Sequence, residues 1–145
     1  MPEAEILNGN AEVTARLEAL VGRLSDADLR RDLGGGWTVS VALAHLAFWD
    51  RRVAYVLERW TSGGAPHTEL DDDVVNNALE ELHKAVEPRA AARLAVVAAR
   101  SANAAIAKVP DAIAAQLAAE DHAYLLRRSG HRGEHIEQIE AGLRG

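Results

Sequence analysis

The sequence predicts an all-α fold, a four-helix bundle with short accessory helices in a single domain spanning residues 1–145. Three observations carry that reading. Hydrophobic residues make up 48% of the chain but aromatic ones only 4%, and alanine is abundant, so the β-branched and aromatic runs that strands favour are scarce. Apolar residues recur at helical spacing in several long segments. Helix-capping residues stand in front of most of those segments.

The first helix is expected from an Asn10 cap to about Leu24, with Val13, Leu17, Leu20, Val21 and Leu24 forming one apolar stripe. Ser25 and Asp28 have capping-box spacing and announce a short further turn. Gly34, Gly35 and Gly36 then break the chain. Thr38 caps a long helix reaching about Trp60, whose face collects Val41, Ala42, His45, Phe48, Trp49, Val53, Val56 and Trp60. Thr61 to Thr68 reads as a connection. Asp71, Asp72 and Asp73 suit the positive end of a new helix, whose stripe is Val75, Ala78, Leu79, Leu82 and Val86.

Pro88 fits the first turn of an alanine-rich helix to about Lys108, where its missing N–H costs nothing, and Pro110 ends that helix. Asp111 to Arg128 reads as interrupted helix. The last helix carries His131, His135, Ile136, Ile139 and Leu143.

The composition narrows function. With no cysteine, disulfides, thiolate metal sites and a cysteine nucleophile are excluded, so any metal must be held by nitrogen and oxygen. The formal net charge of −6 argues against a surface that neutralises nucleic-acid phosphates. Met1 to Asn10 lacks the basic and apolar regions of a signal peptide, and no stretch reaches the roughly 20 apolar residues of a membrane span. The expectation is a cytoplasmic protein with a small-molecule substrate and neither nucleic-acid nor membrane partners.

Histidines are the chemistry-bearing residues. His131 and His135, four apart on a helix, share a face and can both reach one ion. The intervening residues do not make HExxH, because Arg132 follows His131 where the zinc proteases have glutamate. A pair at this spacing arises readily by chance among six histidines, and a lone His45 on an apolar face is ordinarily a hydrogen-bonded core residue. Yet all three look inward, and burying imidazoles with no evident carboxylate partner is costly unless something takes up their lone pairs. Core histidines and a shared ion both remain open on these grounds. His67, His83 and His122 fall in loop or polar contexts and are read as surface residues.

Gly35-Gly36-Trp37-Thr38-Val39, followed by Ala44-His45-Leu46, resembles the entry to the second helix in the DinB-like superfamily. Gly130-His131-Arg132-Gly133-Glu134-His135-Ile136-Glu137-Gln138-Ile139 is similar to its closing HxxxH helix, and Asp73 with Asn77 to a recurring D…N feature. The resemblance implies a DinB/YfiT-like bundle holding a divalent metal, zinc or nickel, on His45, His131 and His135, and a homodimer. It also implies a metal-dependent transferase or hydrolase, with a low-molecular-weight thiol as a cofactor in some relatives. Val41 stands where such proteins often carry an acid, which leaves the three ligand positions intact.

Three imidazoles leave at least one coordination position open, the pattern of catalytic rather than structural sites. Trp49 and Arg52, one and two turns beyond His45, are candidates for a pocket wall and for a cation that binds the carboxylate of a substrate or thiol cofactor. Their plainer reading is core and solvent-facing surface. Trp37 reads as a plug before the helix, Gln138 and Glu134 as groups that could orient an imidazole, with Glu134 the more ordinary solvated residue. The alternatives are a non-catalytic binding module with a structural ion or none, and a bundle whose histidines simply hydrogen-bond in the core.

Overall fold

In the computed structural model, which describes residues 2–63 and 72–145, helix α1 runs Ala4–Arg23, α2 Asp26–Leu29 and α3 Val39–Thr61. A two-stranded hairpin, β1 Asp32–Gly34 and β2 Trp37–Thr38, separates α2 from α3. Then come α4 Asp72–Ala85, α5 Pro88–Ala107, α6 Asp111–Ala119, a 3₁₀ turn at Ala123–Leu125 and α7 Ser129–Arg144. The expected connection around Thr61–Thr68, with His67 and Asp71, falls largely outside the described residues.

Several caps act as the sequence implies. The Thr38 hydroxyl accepts from Val41 N–H, and Ser25 and Asp28 satisfy each other's backbone donors in a full capping box. Pro88 opens α5 behind Glu87, whose carboxylate accepts from the Arg89 and Ala90 N–H groups. Helix α1 differs. It begins six residues before the expected start, with no side-chain cap, and Asn10 lies inside it, buried. The Asn10 side chain serves another helix end: Oδ1 accepts from the N–H groups of Arg128 and Ser129 at 2.9 and 3.0 Å, and its amide donates to Leu126 O. Asn10 thereby caps α7, whose first turn has no cap of its own.

The three glycines likewise do more than break the chain. Gly34 pairs with Trp37 across a two-residue turn of Gly35 and Gly36, both at positive φ, the geometry that tight hairpins require. This short ribbon, unexpected from the sequence, delivers Trp37 to the start of α3.

Helices α1, α5, α3 and α7 pack in a ring in that order, α4 lies against α3, and α6 against the 3₁₀ turn. Buried alanines 91, 92, 95, 98, 99, 102 and 105 along α5 present a thin surface to α3, which lets the two axes approach closely. The core falls into two apolar clusters. One gathers Leu17, Leu20, Leu43, Leu46, Ala95, Ile136 and Ile139; the other Val53, Leu57, Trp60, Ile106, Leu117 and Leu125.

Between them lies a polar layer. Asp50 and Arg132 are 0% exposed and Arg128 6%, with Nε of Arg128 and of Arg132 on opposite Asp50 oxygens at 2.8 and 2.7 Å. The rest of the Arg132 guanidinium donates to Asn10 O, Thr14 Oγ1, Asn103 Oδ1 and Ala99 O. Every helix of the ring thus reaches the layer. Periodicity carried a signal for it: Asp50 stands in register with Leu46, Val53 and Leu57, and Arg132 with Ile136, Ile139 and Leu143. Two opposite charges on core faces of different helices have a partner in each other.

Among the described residues, no helix is long and apolar enough to cross a membrane.

Candidate metal centre

His45 sits two turns into α3, and His131 and His135 one turn apart at the start of α7, so the centre lies where those helices pack. One ring nitrogen from each of the three histidines lies within 4.8 Å of the others. His45 Nε2 and His131 Nε2 are 3.1 Å apart. Zinc–nitrogen bonds of about 2.0–2.1 Å in a tetrahedral site put ligand nitrogens about 3.3 Å apart, so the spacing suits one ion.

The donor chemistry fits as well. His45 is 5% exposed, and its Nδ1 is buried without a hydrogen-bond partner. The sharper sign is the 3.1 Å approach of the His45 and His131 Nε2 atoms, which needs either one proton or one ion shared between two lone pairs. Burial pushes the His45 ring down to about 3, helped by His135 and His131 and less by His83 and Arg128. Burial does the same to His131, also to about 3, with the Arg128 cation beside it as the second cause. His135 is lowered by burial too, partly offset by Gln138 and Glu134. All three rings are therefore neutral near pH 7 and keep a lone pair to offer.

These shifts make acid lability an expected property of the metal-free protein. Each depressed histidine binds fewer protons folded than unfolded, so stability is intact above about pH 6.5 and falls as pH drops from there toward 3. Between pH 6.5 and 5 the cost is about 2 kcal/mol for each of His45 and His131. Urea midpoints at pH 7 and pH 5 measure it, and equal midpoints would contradict the buried neutral rings.

Trp37 covers the centre from the hairpin: its ring lies 4.9 Å from His45 and stacks 6.0 Å from His135. It is a wall of the site, beyond the plug expected of it. Trp49 meets the His45 ring edge at 6.4 Å, and its indole N–H donates to Asn76 Oδ1 at 2.9 Å, tying α3 to α4. The Arg52 guanidinium lies over the Trp49 ring at 5.7 Å, half-buried and a step removed from the histidines. Gln138 accepts from His135 Nδ1 at 2.9 Å, as a ligand-orienting group should, while Glu134 is exposed.

One histidine is corrected outright. His83, expected on the surface, is 7% exposed, its ring 6.5 Å from His45 and from Phe48. The phase of α4 explains it. Val75, Leu79, His83 and Val86 face inward, while Leu82, assigned to the apolar stripe, is 63% exposed and Ala78 is exposed too. Burial lowers the His83 ring as well. Tyr124 stands in the 3₁₀ turn, half exposed. Asn77 is exposed, and its neighbour Asn76 makes the bond to Trp49.

The profile of the DinB superfamily matches residues 11–139, which includes all three histidines, and the chain belongs to that superfamily. No curated protein and no solved structure matches it.

Proposed function

From its place in the DinB superfamily, we propose that this chain is a metal-dependent enzyme that holds one divalent ion on His45, His131 and His135 and acts on a small molecule. The observation that carries this reading is the convergence of three imidazoles, two of them with Nε2 atoms 3.1 Å apart. An imidazole donor set without cysteine suits zinc, copper, iron or nickel, and the family resemblance points to zinc or nickel among them.

When bound, such an ion supplies a Lewis-acidic centre that acidifies a water or thiol in its open position. The chain's own groups do the rest. His45, His131 and His135 fix the centre on two packed helices. Trp37 and Trp49 shield it from bulk water, which strengthens electrostatic interactions inside. Arg52 above Trp49 is suited to the carboxylate of a thiol cofactor or substrate, by charge-assisted hydrogen bonding. On this reading the reaction is transfer to or from a low-molecular-weight thiol, or a related hydrolysis, in a cytoplasmic homodimer without nucleic-acid or membrane partners.

Protein purified without an affinity tag is expected to carry one zinc or nickel per chain by elemental analysis. The loaded protein is expected to consume a low-molecular-weight thiol in the presence of electrophilic acceptors. Absence of stoichiometric metal sinks the reading. Metal without thiol or hydrolytic turnover across such a screen reduces the ion to a structural staple.

A further inference from the structure

His131 and His135 are ligand candidates on one helix, yet their second ring nitrogens meet opposite partners. His135 Nδ1 faces the Gln138 carbonyl oxygen, an acceptor, so its proton sits on Nδ1 and Nε2 is left bare for an ion. His131 Nδ1 faces Arg128 Nη2 at 3.0 Å. A guanidinium has five donors and no acceptor, so this bond can exist only if His131 Nδ1 supplies the lone pair. The proton of the neutral His131 ring is then on Nε2, the nitrogen turned toward His45.

The consequence passes on. His131 Nε2–H donates to His45 Nε2 across 3.1 Å, so the proton of the neutral His45 ring is on Nδ1, the atom that is buried with no partner. One arginine thus accounts for both the short imidazole contact and the orphaned nitrogen. Arg128 is held beside His131 in the metal-free protein, because Nε donates to Asp50 Oδ1 at 2.8 Å and Asp50 is held by Arg132, so its withdrawal is opposed by that pairing.

We propose that Arg128 is a positioning residue that sets the proton of His131 on Nε2, so that the ion is admitted only when Arg128 withdraws and the proton moves to Nδ1. Metal-ligating histidines ordinarily donate their second N–H to an acceptor, as His135 does to Gln138. Arg128 withholds that acceptor and places a positive charge beside the ion. It trades affinity for a centre that opens and closes with one side chain. The inference rests on the three histidines being metal ligands.

Two measurements test it. In ¹⁵N-labelled metal-free protein, long-range ¹H–¹⁵N correlation is expected to show His131 Nδ1 bare and Nε2 protonated, and added zinc is expected to move the proton to Nδ1. A metal-free His131 protonated on Nδ1 overturns the inference, whatever any variant does. Zinc affinity by chelator competition supplies the second readout. Arg128→Gln, which offers an acceptor, is expected to bind about tenfold more tightly than wild type, within the span of such outer contacts. Arg128→Met, which removes the charge alone, is expected to gain less. A part played merely in the packing predicts weaker binding for both. Zinc bound by wild type but no more tightly by R128Q than by R128M overturns the role of Arg128 and leaves the metal reading standing. No zinc bound by any of the three overturns both.

Discussion

Asp50→Ala is expected to cost about 3–5 kcal/mol. Asp50 is fully buried and stands between the guanidiniums of Arg128 and Arg132, themselves 6% and 0% exposed. Removing it leaves two cations in the polar layer with no anion in contact among the described residues. The neutral groups around Arg132, namely Asn10 O, Thr14 Oγ1, Asn103 Oδ1 and Ala99 O, satisfy its donors but not its charge. A domain of this size has about 5–15 kcal/mol in total, so the variant is expected to be marginally folded at physiological temperature. Replacing all three charged residues by apolar ones of similar volume is expected to cost much less, because the penalty belongs to uncompensated charge rather than to the loss of attraction. Urea unfolding followed by helical circular dichroism at pH 7 compares the two. A loss under about 1 kcal/mol in Asp50→Ala would mean that water reaches the layer and that the arginines are not buried cations.

The same layer shows where sequence reading stops. Caps are local chemistry, so Thr38, the Ser25–Asp28 box and Pro88 marked their helix starts correctly. The three histidines were legible because a lone polar residue on an apolar face is conspicuous. Asp50 and Arg132 stand on apolar faces just as plainly, but a charge in a helix is by habit assigned to solvent, and their partnership spans two helices far apart in the chain. Asn10 looked like the start of α1 because its residue type caps helices; it does cap one, but that helix is α7, reached through space. The hairpin escaped because five strand residues are too few for an alternating pattern, although Gly35-Gly36 is a strong two-residue turn. His83 was missed by the phase of α4. Counting Ala78 and Leu82 as core beside Val75 and Leu79 left His83 on the outer face, and only packing against α3 decides between the two phases. What the sequence resolved was therefore local order and the outline of the centre; what it left unresolved was pairing across helices.

His45→Leu is expected to move metal affinity and stability in opposite directions. Structural zinc sites are worth about 10–16 kcal/mol over four ligands, or about 3 kcal/mol each, so losing this imidazole is expected to weaken zinc binding about a hundredfold or more. Without metal the sign reverses. His45 is 5% exposed and its Nδ1 has no partner, and an unsatisfied buried donor costs about 1–3 kcal/mol. Leucine is close to histidine in volume and brings no polar atom, while the His131 side chain whose N–H it strands is only partly buried. The metal-free variant is expected to melt about 3 °C higher than metal-free wild type, a shift that corresponds to about 1 kcal/mol. Zinc added in excess then raises the melting temperature of wild type by more than that of the variant, since the stabilisation grows with the ratio of free ligand to Kd. If the three histidines were ordinary core residues, zinc would leave the melting temperatures of both proteins unchanged. A centre kept for binding carries a cost in the empty fold, and His45 is where that cost is concentrated.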